Sequence, residues 1–156
     1  MKISDILDEK SVATGMAGET KEDIINGLVN LVSQSPKVLD REKVRTAILD
    51  REKIMSTGVG NGFAIPHGKT DAVTDIVAGF CVTAKPIAYQ SLDDIPVRLV
   101  FLLVGKDNLV GPHIKLLSRI SRLMNKEEFR TKLLGLKTPQ EVISVFRQEE
   151  ASYSDM

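Results

Sequence analysis

Two short runs, residues 76–82 and 97–104, are almost wholly apolar and rich in valine, leucine and phenylalanine. They are too short for buried helices and lack the two-residue alternation of a half-solvated strand, so they predict strands covered on both faces. Such a sheet needs helices on each side, and the flanking sequence supplies them. Thr20 and Asp23 have capping-box spacing, and Ile24, Leu28, Leu31 and Val32 recur at helical intervals, predicting a helix over 21–34. Asp40 caps a second helix, which carries Val44, Ala47 and Ile48 and ends near Arg51 or Glu52. Beyond the second apolar run, Pro112 suits a first helical turn that places His113, Leu116, Leu117, Ile120 and Met124 on one face. Asn125 with Glu128, and Thr138-Pro139 with Glu141, open two more helices, the first of them ended by Gly135.

Weaker signals complete the outline. Ser4 caps a short first helix that fades by Lys10, residues 63–65 form a third strand, and residues 87–89, between Pro86 and the Asp93-Asp94 turn, form an edge strand. The expected architecture is one α/β sandwich domain over residues 1–150, a mixed, mostly parallel sheet with helices on both faces, followed by a short flexible tail over 151–156.

Acidic and basic side chains number 21 each, giving a formal net charge of zero. No global field then recruits nucleic acid or an anionic membrane. No stretch of about 20 apolar residues exists for membrane insertion, and Met1-Lys2-Ile3-Ser4-Asp5 does not begin a secretion signal. The single cysteine, Cys81, lies inside an apolar run, as a buried packing residue in a reducing cytoplasm would.

The chemically informative stretch runs from Arg51 through Ser56-Thr57-Gly58-Val59-Gly60-Asn61-Gly62 and a short strand to Pro66-His67-Gly68. Glycines let backbone N–H groups approach an anion, Pro66 stiffens the chain before His67, and Gly68 leaves the histidine sterically open. Nucleotide loops do not fit: Gly62 leaves five residues before Gly68-Lys69-Thr70 where a phosphate loop needs four, and these glycines precede a strand instead of following one. Two histidines and one cysteine show no zinc-type spacing, so no metal site is expected, and no glycine-flanked elbow marks a nucleophilic serine.

A histidine that carries a phosphoryl group needs one free ring nitrogen, a hydrogen bond fixing the other, and donors around the transferred oxygens. With a reference pKa near 6.5, His67 would be largely neutral at cytoplasmic pH, with Arg51, Ser56 and the N–H groups of Gly58, Gly60 and Gly62 as candidate donors. His113, in the first turn of its helix and on the apolar face, is the second candidate. On the residues alone, a plain loop histidine, a half-buried helix histidine and a surface arginine remain open readings of His67, His113 and Arg51.

The segment from Thr57 to Gly68 closely resembles the phosphorylation-site signature of the type-2 EIIA domains of the bacterial phosphotransferase system, the fructose, mannitol and nitrogen-regulatory family. Lys85-Pro86-Ile87, Val97-Arg98-Leu99-Val100-Phe101 and His113 with Leu116-Leu117 extend the resemblance over essentially the whole chain. Tyr89-Gln90-Ser91 and Asp94 depart from the family's usual phenylalanine-aspartate-alanine and glycine. The resemblance implies a phosphocarrier: His67 accepts phosphate from HPr or its nitrogen-branch relative, with His113 and Arg51 in the pocket and no cofactor. It leaves three roles in view: a regulatory subunit switching partners by phosphorylation, a sugar-uptake component passing phosphate to an EIIB domain, and a non-catalytic interaction module on the same fold.

Overall fold

A computed structural model describes residues 2–152. Its elements run α1 (Ile3–Ile6), β1 (Val12–Met16), α2 (Lys21–Val32), α3 (Arg41–Ile54), β2 (Gly58–Gly60), β3 (Phe63–Ala64), β4 (His67–Lys69), β5 (Val77–Ile87), β6 (Val97–Gly105), α4 (Val110–Met124), α5 (Glu127–Leu134) and α6 (Pro139–Ala151).

The expected apolar runs pair with each other. β5 and β6 form an antiparallel ladder at the centre of one mixed six-stranded sheet ordered β1-β5-β6-β3-β2, with β4 also on β6. The pairings β1–β5, β3–β6 and β4–β6 are parallel, while β5–β6 and β2–β3 are antiparallel. Alternation along β6 then divides the core. Leu99, Phe101 and Leu103 face α1, α4, α5 and α6, whereas Val97, Val100, Leu102 and Val104 face α2 and α3. Both faces are dry, which is why neither run shows a polar period. Phe80, Phe101 and Phe129 each meet Phe146 at 5.2–5.9 Å between centroids in tilted-edge geometry, anchoring α6 to the first face.

Capping accounts for α2, α3 and α6. The side chains of Thr20, Asp40 and Thr138 accept from the N–H groups of Asp23, Lys43 and Glu141, and Gly135 ends α5. Other boundaries differ from the sequence reading. Ser4 lies inside α1, whose first donors, Ile3 N and Ser4 N, are satisfied by Glu150 Oε2 and Oε1 at 2.6 and 2.8 Å, a cap supplied by the far end of the chain. Asn125 closes α4 instead of opening α5, which starts after Lys126 without a side-chain cap. Residues 87–89 are not a separate edge strand: Ile87 ends β5 and pairs with Val97 after a register shift, and the irregular ladder accommodates Pro86. β1 carries no apolar run because only its first residue is buried. α6 extends through Ala151 with Ser152 as its cap, and 153–156 of the expected tail lie outside the described residues.

Candidate active site

β3 and β4 occupy successive stretches of the same edge of β6, Phe63 opposite Leu99 and His67 opposite Leu103. Pro66, which has no N–H, separates them, and its carbonyl accepts from Leu103 N at 3.1 Å. The chain therefore re-enters the sheet at His67. Ile65 O lies 2.8 Å from His67 Nδ1. A carbonyl only accepts, so Nδ1 carries the proton and Nε2 presents a free lone pair.

His113, in the first turns of α4, turns its ring toward His67 with centroids 6.0 Å apart. Its residue is 3% exposed, and neither ring nitrogen has a hydrogen-bond partner among the described residues. A buried imidazole with both nitrogens unsatisfied costs stability, which makes His113 a candidate to meet an incoming group. Its backbone N–H is already committed to Leu109 O at 3.1 Å, so the side chain, not the helix terminus, faces the site. The ring fits there because residue 105 is glycine: a Cβ at that position would stand 2.6 Å from His113 Nδ1.

Both imidazoles are held neutral. Burial pushes the His113 pKa down to about 4, and the His67 and Lys69 charges add to the effect. His67 also lies below the ordinary imidazole value, chiefly through burial; the Ile65 carbonyl opposes this, Arg51 and Lys69 reinforce it, and Glu52 opposes it. Arg51, in the last turn of α3, donates from Nη1 to Met55 O at 3.0 Å and stands close enough for its charge to bear on His67. His67 and His113, distant in sequence, are thus brought together, and the charge of Arg51 bears on His67.

The remaining candidate donors are not. Ser56 Oγ donates to Tyr89 O at 2.8 Å and accepts from Gly58 N at 3.2 Å, so both groups are engaged within the loop. Gly60 (φ 108°) and Gly62 (φ 78°) shape the tight turn between β2 and β3. Gly60 pairs with Phe63, opposite Leu99, four residues along β6 from the partner of His67, a separation of about 13 Å at roughly 3.3 Å per residue. The glycines build the hairpin that starts the strand, and their N–H groups do not surround the histidine.

Sequence reasoning missed Glu52 and Gly105. Glu52 reads as one more charged residue at a helix end, and Gly105 as a strand terminus; only packing across elements reveals the burial of one and the close approach of the other.

A half-buried and a buried imidazole at the end of a mixed sheet, with an arginine charge bearing on the first, suit an anionic group presented to a histidine. The chain belongs to the phosphoenolpyruvate-dependent sugar phosphotransferase system EIIA 2 family, whose model matches residues 5–149. It is 33% identical over 150 residues to the fructose-specific EIIABC component of Bacillus subtilis, covering 96% of this chain and 24% of that protein. It is 32% identical over 145 residues to a nitrogen regulatory protein of Bradyrhizobium diazoefficiens, covering 93% of this chain and 94% of that one. Among solved structures, nitrogen regulatory protein IIA-Ntr from Neisseria meningitidis superposes with a TM-score of 0.86 at 28% identity, over 92% of this chain and 98% of that one. No helix among the described residues is long and apolar enough to cross a membrane.

Proposed function

We propose that the protein is a cytoplasmic histidine phosphocarrier in which His67 Nε2 accepts a phosphoryl group from a phosphohistidine on HPr or its nitrogen-branch relative. The observation that carries this reading is the fixed tautomer: Nδ1–H on Ile65 O at 2.8 Å leaves Nε2 unprotonated on a ring whose centroid is 6.0 Å from that of His113, itself without a hydrogen-bond partner among the described residues. The Nε2 lone pair forms the bond to phosphorus as the donor's N–P bond breaks and its electron pair returns to the donor imidazole. Positive charge then develops on the His67 ring, and its Nδ1–H bond to the Ile65 carbonyl strengthens as the proton becomes more acidic. The phosphoryl oxygens meet Arg51 and His113, groups already oriented before the donor arrives. No cofactor is required, because the protein donor brings the phosphoryl group.

The exposed apolar side chains of Ile54, Met55, Val110 and Ile114 sit beside the termini of α3 and α4 that carry Arg51 and His113. They suit transient docking of a protein donor and acceptor. We read the chain as a regulatory subunit, in which phosphorylation changes the charge of this face and hence its partner. The similarity to a nitrogen regulatory protein and to IIA-Ntr along almost their whole lengths supports that role. The 33% identity to a fructose-specific EIIABC component supports the second reading, transfer from His67 to an EIIB domain in sugar uptake.

The deciding experiment is phosphorylation by phosphoenolpyruvate, Enzyme I and either HPr or its nitrogen-branch relative, followed by mass spectrometry that preserves phosphohistidine. Label on His67 that disappears in His67→Ala is the expected result, and the preferred donor separates the two roles. Full labelling of His67→Ala would overturn the assignment, and no labelling by either donor would leave a non-catalytic interaction module.

A further inference from the structure

We propose that Glu52 is a positioning residue for His67, acting through Thr57 and Ile65; the proposal rests on His67 being the phosphoacceptor. The Glu52 side chain is 5% exposed yet lies in a shell of donors. Lys21 Nζ stands 3.1 Å from Oε1, Thr57 N donates to Oε1 at 2.8 Å, and Thr57 Oγ1 donates to Oε2 at 2.5 Å. The Thr57 hydroxyl has one proton and spends it on Glu52, so in the 3.2 Å contact with Tyr89 the phenol is the donor. Lys21 Nζ also lies 4.7 Å from the centre of the Tyr89 ring, tying α2 to the same cluster.

A buried ion pair adds little net stability over an apolar replacement, so this arrangement calls for another explanation. The loop that it clamps supplies one. At one end of that loop Met55 O holds Arg51 Nη1 at 3.0 Å. At the other, Thr57 O accepts from Ile65 N at 3.0 Å, and Ile65 O in turn fixes His67 Nδ1 at 2.8 Å. The carboxylate thus holds Thr57 by its N–H and hydroxyl, Thr57 holds Ile65, and Ile65 aims the imidazole. Displacing Thr57 moves the acceptor that defines the His67 tautomer.

Glu52 also acts on His67 by charge. The groups bearing on that ring are Arg51 and Glu52 from α3, Lys69 from β4 and His113 from α4, and Glu52 is the carboxylate among them. Removing its charge lowers the His67 titration midpoint, whereas removing Lys21 leaves the carboxylate unneutralised and raises it. A merely structural role would not move the midpoint in opposite directions.

The test is nitrogen-15 NMR of the histidine rings in the unphosphorylated full chain, as a function of pH, alongside donor-dependent phosphorylation rates. In E52Q the expected results are a mixed His67 tautomer, a midpoint moved to lower pH and a kcat/KM for phosphoryl acceptance reduced on the order of tenfold through misplacement. K21M should move the midpoint to higher pH. T57V, which keeps both charges, covers the case of an E52Q protein that does not fold; it should show the mixed tautomer with little change in midpoint. Wild-type tautomer in T57V, or wild-type tautomer and midpoint in folded E52Q, would overturn the proposal. Failure of the phosphoacceptor reading itself would appear separately, as absence of label on His67 in the unaltered protein.

Discussion

His67 and His113 face each other with ring centroids 6.0 Å apart, one hydrogen-bonded to a carbonyl and the other without a hydrogen-bond partner among the described residues. The asymmetry assigns different work to them. In the proposed phosphocarrier, His67 is the nucleophile and the two unsatisfied nitrogens of His113 await a group that arrives with phosphoryl transfer. Phosphorylation of His67 should therefore raise the His113 pKa from about 4. At 6.0 Å between the rings and an effective dielectric near 20, each unit of negative charge is worth about 3 kcal/mol, or about two pKa units. NMR titration of His113 before and after phosphorylation measures this, and an unchanged pKa would place the phosphoryl group away from His113.

Arg51→Ala should slow phosphoryl acceptance by about ten- to a hundredfold, since one charge-assisted hydrogen bond is worth roughly 1.5 to 3 kcal/mol. Arg51→Lys should recover only part of the rate, because an ammonium cannot reproduce the guanidinium fork. Stopped-time labelling at limiting donor checks both, and a wild-type rate in Arg51→Ala would return the residue to a surface role.

Acid should destabilise the fold before the carboxylates titrate. An unfolded histidine binds its proton near pH 6.5, whereas folded His113 resists until about 4. Between those values the unfolded state binds more protons, so stability rises with pH and is lost as pH falls through the window. The full depression corresponds to about 3 kcal/mol, and the smaller depression of His67 acts in the same direction. Urea unfolding between pH 7 and 4.5 should show this slope in the wild type and a shallower one in His113→Gln.

Gly105→Ala tests the close approach that seats His113. The new methyl would stand 2.6 Å from His113 Nδ1 in the absence of adjustment, and relief requires the ring to tilt. The expected cost is about 1 to 3 kcal/mol of stability, with a fall in transfer rate while label still reaches His67. Thermal unfolding and labelling kinetics read the two effects independently.

Glu150→Ala should loosen the N-terminal segment, because Ile3 N and Ser4 N lose their shared acceptor. Leaving two helix-start donors without a side-chain acceptor is worth about 1 to 3 kcal/mol, or a fall in Tm of roughly 2 to 12 °C at this chain length. Hydrogen exchange at Ile3 and Ser4 should accelerate more than exchange in β6. Equal protection in the two places would contradict a cap supplied across the chain.

The sequence by itself determined the elements whose signals are local. Apolar runs bounded by breakers marked the two central strands β5 and β6, side-chain caps at Thr20, Asp40 and Thr138 opened three helices, and Pro66-His67-Gly68 marked His67 as a candidate phosphoacceptor. These features depend on neighbours a few residues away. Tertiary structure decided what depends on contacts between distant elements. The cap on α1 comes from Glu150, and Ser56 Oγ is engaged by Tyr89 O. The glycine turn stands several residues along β6 from the level of His67. Glu52 and Gly105 carry no local signal either, since the burial of a carboxylate and the room beside a ring exist only once α2, α3, α4 and the sheet have packed. The sequence names the groups able to do chemistry, and packing decides which of them are free to do it.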